Sequence, residues 1–385
     1  MSKIAVVGVQ ENVGREILSF LEENGYKAAD VVALEPGSPL GNMVSYGEEE
    51  DLDVLNLNDF DFSKVEIALF AVTEAVAKQY IPKALSKGCK VIDCSSAYVS
   101  DEDVPLVIAG YNDHKLAQAK RGLVAVPSAA VIQMLVPLQK VHEEYAVSRI
   151  VVSTYISTSI YGKEAMDELF SQIRKIYMND SLVDDQKVFN KQIAFNVIPQ
   201  AGEFIGEETH CEWAMNAETK KVFGGGIKVH ANCAVIPAFI GCGQFINVEC
   251  EHEVDVDEVR KLMKKTPGVI LFDKNVDGGY VTLTDIQGEN DIYVSRLRQD
   301  ASVENGFSFW CVADNLRAGV AKNAFEIMKK ISVVSPQPLF RFVRHKNGKF
   351  QVVLQFPAAY ILLHCRVHIS FSERAFPWRR ARFLL

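Results

Sequence analysis

The side chains best able to do chemistry in this 385-residue sequence are thiols and imidazoles that lie close together along the chain. His210 is followed directly by Cys211, and Cys233 comes shortly after His230. Imidazole and thiolate are ligands that zinc prefers, but these spacings match no closed zinc pattern, so we predict no metal site. We interpret Cys242 as a small buried thiol rather than a reactive one.

The overall composition is typical of a soluble globular protein with two domains. Hydrophobic residues make up 48% of the chain and charged residues 23%. The formal net charge of −8 argues against nucleic-acid binding, because phosphate contacts need clustered Lys and Arg. Eight cysteines without regular spacing fit a reducing compartment. We find no signal-peptide pattern and no uninterrupted run of about 20 apolar residues, so we expect a cytoplasmic protein without a membrane partner.

The N-terminal third alternates short apolar runs with helical periodicity. Buried-strand patterns cover residues 3–8, 30–34, 65–72, 90–92 and 122–126. Helical spacing follows the first run and returns between later runs, as in residues 75–87. This rhythm predicts a doubly wound parallel sheet with helices on both faces.

Beyond residue 128 the pattern changes to strands rich in β-branched residues. These strands are predicted at residues 148–157, 227–234, 245–251 and 279–283, with helices at 163–175 and 256–265. The second part is therefore predicted to be a mixed α+β domain. Residues 313–331 then show a clean helical period behind Asp314 as N-cap, which predicts a late helix that packs against the first domain.

The end of the chain differs from the rest in charge. From Ile331 onwards there are nine Lys or Arg and one acid, a net charge of +8. The preceding 330 residues hold 41 − 9 = 32 basic and 49 − 1 = 48 acidic residues, a net charge of −16. Two interpretations stay open: a basic tail that binds an acidic partner, or sequence not selected for this fold, such as a shifted reading frame. The coding DNA near Ile331 would distinguish them.

A series of short motifs runs in order along the chain. It comprises Val-Ile-Asp at 91–93, Ser-Ser-Ala at 95–97, residues 103–107, 151–155 and 162–170, Gln-Ile-Ala-Phe-Asn-Val-Ile-Pro at 192–199, and residues 293–296 and 314–317. This series resembles the aspartate-semialdehyde dehydrogenase family over roughly residues 3–330, and the tail has no counterpart. The resemblance implies reductive dephosphorylation of aspartyl phosphate with NADPH, a Rossmann domain, a catalytic and dimerisation domain, and a homodimer. We accordingly predict a Rossmann-type domain at 1–127 and 313–331, a second domain at 128–312, and an atypical tail at 332–385.

The family's catalytic residues are missing at the matching positions. The cysteine nucleophile of the family corresponds to Ala129, the orienting glutamine to Ile156, and the histidine base to Cys242. A methyl group cannot form the acyl-enzyme that the reaction requires, and a thiol is a poor substitute for an imidazole base. The neighbouring Ser128 is expected to lack an adjacent base that could activate it.

The substrate-binding residues of the family are also replaced. The arginine for the substrate carboxylate corresponds to Val235, and the arginine for the phosphate to Val99. The glutamate and lysine that contact substrate correspond to Cys211 and Ala214. Loss of both arginines removes bidentate recognition of anions.

The nucleotide loop keeps its outer glycines but not its central one. Gly8 and Gly14 remain, whereas Glu11 stands at the position of the family's central glycine, which lies closest to the phosphates. Asn315 matches a further position that contacts the cofactor in the family and is interpreted as vestigial here. Residues 33–38 lack the arginine that the family uses for the 2′-phosphate, and Thr-Glu at 73–74 replaces a Gly-Gly pair. The resemblance therefore implies NADP as cofactor, with weakened or lost binding.

Three functional hypotheses follow. The first is a catalytically inactive paralogue, similar to bacterial Usg-type proteins, that acts as a dimeric binding or scaffold protein. The second is an active NADP-dependent dehydrogenase that uses other residues. The third is a decaying gene product, which the unusual tail favours.

Overall fold

The computed structural model describes residues 3–37, 41–182 and 187–333, together with the backbone of residues 339–344 and 350–355. The chain divides into two compact units, Met1–Met328 and Lys329–Leu385. Among the helices described here, none is long and apolar enough to cross a membrane.

A mostly parallel sheet forms from the first part of the chain. Its elements are β1 (Ile4–Val7), α1 (Asn12–Glu23), β2 (Val31–Glu35), β3 (Met43–Tyr46), β4 (Glu50–Asn56), β5 (Ile67–Phe70), α2 (Glu74–Ser86), β6 (Lys90–Asp93) and β7 (Leu123–Ala125). The strand order across the described residues is β3-β4-β2-β1-β5-β6-β7, and the β3–β4 pair is antiparallel. The predicted Rossmann-type α/β fold is confirmed. The sequence patterns miss β3 and β4 because most of their side chains are not buried.

The central strands β1 and β5 lie in the middle of the first sheet. Every residue of both strands is buried, as expected for a parallel sheet covered on both faces. Strand β2 pairs with one edge of β1 and strand β5 pairs with the other, so the strand order reverses direction at β1. In such sheets the crevice at the carboxyl ends of the strands binds ligands. Here that edge is formed by Gly8, Glu35 and Ala71.

The second sheet is mixed, as predicted. Its part of the chain contains α3 (Ala129–Tyr145), β8 (Val147–Ile156), α4 (Lys163–Met178), β9 (Phe204–Ile205), β10 (Glu208–Thr209), α5 (His210–Phe223), β11 (Lys228–Val235), β12 (Cys242–Cys250), α6 (Val256–Lys264), β13 (Val269–Leu271), β14 (Ile292–Gln299) and β15 (Gly306–Ala313). The order is β11-β8-β12-β15-β14-β13 among the described strands. The β8–β11 and β13–β14 pairs are parallel, and the other pairs are antiparallel.

One predicted strand is wrong. Residues 279–283 form a loop that is attached to the sheet by single contacts. The Val281 N–H donates to Ser295 Oγ at 3.2 Å, and Trp310 Nε1 donates to the Val281 carbonyl at 2.8 Å. Val281 packs against Ile286 and Val312, so the segment is apolar because it is buried, although it joins no ladder.

The late helix begins where the sequence indicates but is interrupted. Asp314 Oδ1 accepts the backbone N–H groups of Leu316 and Arg317, the second and third residues of the helical segment, which confirms its role as N-cap. A π-helical segment, Asn315–Ala321, has non-helical dihedrals at Gly319 and leads into α7 (Lys322–Val333). The Phe325 ring stacks on Phe20 of α1 with centroids 5.9 Å apart, so this segment packs against the first sheet's helices as predicted.

The basic tail contains an antiparallel pair of strands, β16 (Leu339–Arg344) and β17 (Phe350–Gln355). The two interpretations of the tail also concern residues that lie outside the described part of the chain, namely 334–338, 345–349 and 356–385.

Candidate functional site

Three of the predicted site positions lie side by side in the second sheet. Val235 is in register with Ile156 on the neighbouring strand, and Ile156 is in register with Cys242 on the next. Their exposed fractions are 0%, 2% and 3%. The structure therefore brings together the positions assigned to the carboxylate-binding arginine, the orienting amide and the base. We call these three residues the strand row; it offers two aliphatic side chains and one thiol.

The position assigned to the nucleophile begins α3 and is held against this sheet. Gln133 Nε2, one turn into the helix, donates to the carbonyl oxygens of Cys242 and Cys311, both at 3.1 Å. A Cβ built on Gly319 would lie 2.8 Å from the Ala129 methyl group, so the two residues are in tight contact. Ala129 thus lies at the start of a helix that is bonded to this sheet, and its methyl group has no atom that can attack.

Helix α5 carries the remaining substrate positions. Cys211 and Ala214 lie in its first two turns, and Glu212 Oε1 accepts the backbone N–H of Cys233 on β11 at 3.0 Å. Lys221, in its last turn, donates to the carbonyl oxygen of Val99 at 2.7 Å. This helix therefore carries the positions of Cys211 and Ala214 and contacts both β11 and Val99, the position assigned to the phosphate-binding arginine.

The two thiols at the site are held in the neutral form. Burial raises the pKa of the Cys242 thiol far above its ordinary value. A hydrogen bond with Cys233, together with burial, raises the pKa of the Cys211 thiol well above its ordinary value. A thiol that stays protonated at neutral pH is neither a nucleophile nor a general base. The structure thus supports the interpretation of Cys242 as a buried, unreactive thiol.

Ser128, expected to lack an adjacent base, has one. Its hydroxyl donates to Glu218 Oε2 at 2.9 Å, and its backbone N–H donates to the same oxygen at 2.7 Å. Burial raises the pKa of the Glu218 carboxyl to about 7, against the opposing hydrogen bonds from Ser128. The expectation is wrong because α5 brings a carboxylate from far along the chain to the start of α3.

One sequence signal could have found this carboxylate. The buried residues of α5 follow a helical stripe, namely Ala214, Met215, Glu218, Thr219 and Val222. A glutamate on an otherwise apolar or small-residue stripe must be paired or neutral, because burial of an isolated carboxylate is costly. The stripe identifies Glu218 as unusual, but it does not identify its partner.

The fold itself needs both retained glycines of the nucleotide loop. Gly8 has a φ of 90°, and a Cβ there would lie 2.1 Å from the Ala71 carbonyl oxygen. A Cβ on Gly14 would lie 1.9 Å from the Gly8 carbonyl oxygen. Neither backbone position accepts a side chain. Their retention is therefore explained by the fold and is not by itself a sign of a bound dinucleotide.

Asn315, the third predicted cofactor residue, is committed to contacts inside the protein. Its side-chain oxygen accepts the Gly241 N–H at 2.8 Å and lies 3.1 Å from the Ser159 hydroxyl. The residue is 7% exposed. Its role in binding a cofactor stays a prediction. Across the described part of the chain, no group of three or more His, Cys, Asp or Glu side chains could hold a metal ion.

The chain matches two family descriptions in sequence. Residues 3–119 match "Semialdehyde dehydrogenase, NAD binding domain", and residues 136–318 match "Semialdehyde dehydrogenase, dimerisation domain". The chain belongs to the aspartate-semialdehyde dehydrogenase family. It therefore has that family's dinucleotide-binding and dimerisation domains, in the order in which the two sheets follow each other.

Individual members of the aspartate-semialdehyde dehydrogenase family align over nearly their whole length. The chain is 35% identical to the aspartate-semialdehyde dehydrogenase of Rickettsia bellii, over 85% of this chain and 97% of that protein. It is 36% identical to the enzyme of Legionella pneumophila, over 84% and 94% of the two chains. The crystal structure of aspartate semialdehyde dehydrogenase II from Vibrio cholerae superposes with a TM-score of 0.83 at 32% identity, and covers 87% of this chain and 99% of that one.

Proposed function

We propose that this protein is a catalytically inactive member of the aspartate-semialdehyde dehydrogenase family, similar to Usg-type paralogues, that functions in the cytoplasm as a dimeric binding protein. The observation that carries the proposal is the strand row. Ile156, Val235 and Cys242 occupy the centre of the candidate site, are almost fully buried and present no charge. An aspartyl phosphate substrate is strongly anionic, and the strand row contains no arginine that could bind it.

The loss of chemistry extends to each step of the family reaction. Ala129 offers no electron pair for acyl-enzyme formation, and the protonated Cys242 thiol cannot accept a proton at neutral pH. Val99 places a buried aliphatic side chain at the phosphate position. As part of the proposal we keep the domain boundaries at residues 1–127 with 313–331, 128–312 and 332–385.

A turnover assay with purified full-length protein tests this proposal. Aspartate semialdehyde, phosphate and either NADP or NAD would be supplied, and cofactor reduction would be followed against the Legionella pneumophila relative as positive control. We expect no rate above that of the reaction without protein. A rate that scales with protein concentration, and that survives further purification, would contradict the proposal.

A second candidate function is favoured by the Ser128–Glu218 contact. A hydroxyl that donates to a carboxyl with a pKa of about 7 is a serine with a base of suitable strength. In this alternative, Ser128 would replace the family's cysteine as the nucleophile of an active dehydrogenase. The first turn of α3 begins at the next residue, so its free N–H groups would lie near a developing oxyanion.

The variant Ser128→Ala separates the two candidates if any turnover is found. Loss of the rate would assign it to the serine. An unchanged rate would exclude this nucleophile, and Thr158→Ala, which removes a hydroxyl bound to the Ala238 carbonyl, serves as the matched control.

The proposed dimer has a specific aromatic surface. Tyr155, Phe245 and Trp310 lie on neighbouring strands of the second sheet, with the Phe245 and Trp310 ring centroids 4.8 Å apart. Phe245 is 44% exposed in the single chain. Exposed aromatic rings clustered on a sheet face are typical of an interface core.

We expect Phe245→Glu to weaken self-association by about a hundredfold or more, because it places a charge in the centre of an apolar interface. Analytical ultracentrifugation across a concentration series would measure the dissociation constant. The control Met43→Glu makes the same kind of change at a 59% exposed side chain of β3 in the first sheet. Equal dimer stability in both variants would place the interface elsewhere.

A further inference from the structure

Glu35 lies directly beside the nucleotide loop. Strands β1 and β2 are parallel with Val7 opposite Leu34, and the Gly8 N–H donates to the Leu34 carbonyl at 2.8 Å. Gly8, the first residue of the loop, follows Val7, and Glu35 follows Leu34. Glu35 is therefore the neighbour of Gly8 on the adjacent strand. The Glu35 carboxylate accepts the backbone N–H of Gln10 at 3.0 Å, which fixes it against the loop.

The loop keeps the tight strand–turn–helix backbone of a Rossmann-type domain. Gly8 and Gly14 keep the turn closed, as their lack of space for a Cβ shows. Glu11, which replaces the central glycine, is exposed and makes no side-chain cap to α1. Its carboxylate therefore has room to lie in solvent, and the repulsion expected for a phosphate is reduced by screening.

The charge at the edge of this cleft is negative rather than positive. Of the residues after β2, Pro36 and Gly37 carry no charge, and no basic side chain is present in residues 33–37. Burial raises the pKa of the Glu35 carboxyl, and the neighbouring Glu11 charge raises it further, while the hydrogen bond from Gln10 opposes both. The Glu35 carboxylate thus lies at the end of the second strand, where a 2′-phosphate would need a cation.

We propose that the cleft of this protein binds a dinucleotide with a free ribose 2′-hydroxyl, namely NAD or NADH, and that Glu35 excludes NADP and NADPH. In Rossmann domains an acidic residue beyond the second strand accepts a hydrogen bond from the ribose 2′-hydroxyl. The same carboxylate repels a phosphate attached at that oxygen. This inference rests on the proposed binding role of the protein, and it identifies the ligand class of that role.

Binding of the adenosine half alone gives the sharpest test. ADP-ribose and its 2′-phosphate derivative would be titrated into the full-length protein by calorimetry, because neither needs the altered nicotinamide side of the cleft. We expect ADP-ribose to bind at least about thirtyfold more tightly, because the Glu35 carboxylate repels a phosphate about 4 Å away. The same order is expected for NADH against NADPH by fluorescence.

Two variants show whether Glu35 is the cause. Glu35→Gln keeps the shape of the side chain and removes its charge. The affinities of ADP-ribose and its 2′-phosphate derivative should then differ by less than about fivefold. Glu66→Gln changes an exposed glutamate of the same domain away from the loop and should leave the preference unchanged.

Three results would overturn the inference. These are equal affinity for the two probes, tighter binding of the phosphorylated probe, and no binding of either at millimolar concentration. Each is independent of the turnover assay, because a probe preference can be present in an inactive protein and absent from an active one. Failure of this inference and failure of the proposed inactivity are therefore distinguishable.

Discussion

Val235→Arg, which introduces the arginine that we predict for the carboxylate-binding position of the family, should destabilise this protein by about 4 kcal/mol or more. Val235 is 0% exposed and lies beside Ile156, a second aliphatic side chain. The nearby Glu212 carboxylate is already occupied by the backbone N–H groups of Thr209 and Cys233. A guanidinium introduced here would be buried without a free partner, or would force the strand row apart. Urea denaturation of the wild-type and variant proteins would measure the difference in free energy of unfolding.

The chain supplies a matched control for the same chemical change. Val276→Arg replaces a valine that is 66% exposed in a loop, and it should change stability by less than about 0.5 kcal/mol. A Val235→Arg protein as stable as this control would mean that the candidate site is an open cleft. In that case the loss of the arginine would be easily reversed, and the proposed inactivity would rest on fewer residues.

Glu218→Gln should make stability less dependent on pH than in the wild-type protein. The pKa of the Glu218 carboxyl is raised from 4.5 to about 7 in the folded state, chiefly by burial. Between these values the unfolded chain releases a proton that the folded chain keeps, so the free energy of unfolding falls as pH rises. The stabilisation is complete below about pH 4.5 and lost as pH rises through about 7. A shift of 7 − 4.5 = 2.5 pH units corresponds to about 3 kcal/mol.

Paired denaturation curves at several pH values would measure this effect. The wild-type protein should lose about 3 kcal/mol relative to Glu218→Gln between about pH 4.5 and pH 8, because glutamine cannot ionise. Ser128→Ala removes the hydroxyl that donates to the carboxylate, so it should raise the pKa of Glu218 further and enlarge the loss. Parallel pH profiles for wild type and Glu218→Gln would show that Glu218 is not the buried titrating group.

The two parts of the candidate site differ in how they accommodate charge. The strand row consists of buried, uncharged side chains, whereas at Ser128 a buried carboxyl group accepts two hydrogen bonds. Restoration of single residues is therefore expected to cost stability before it restores function. Val99, Ala129 and Val235 would have to change together with the groups that could balance their charges.

The fold was largely predictable because local patterns and tertiary contacts agree in most elements. Strands β1, β2 and β5 are short apolar runs that are buried on both faces, and such runs leave little choice of secondary structure. The prediction failed where burial has another cause. Residues 279–283 are apolar because Val281 packs into a cluster with Val312, and periodicity cannot distinguish such a loop from a strand.

The sequence by itself determined the fold class and the family, and it gave the residues predicted to stand at the family's site positions, because these depend on residue type and order. Only the tertiary structure placed Ile156, Val235 and Cys242 in one register, since pairing between strands far apart in the chain leaves no local signal. The pairing of Ser128 with Glu218 and the position of Glu35 against the loop were decided in the same way. In each case the protonation or charge of a group depends on what the fold brings beside it, and a linear sequence does not contain those distances.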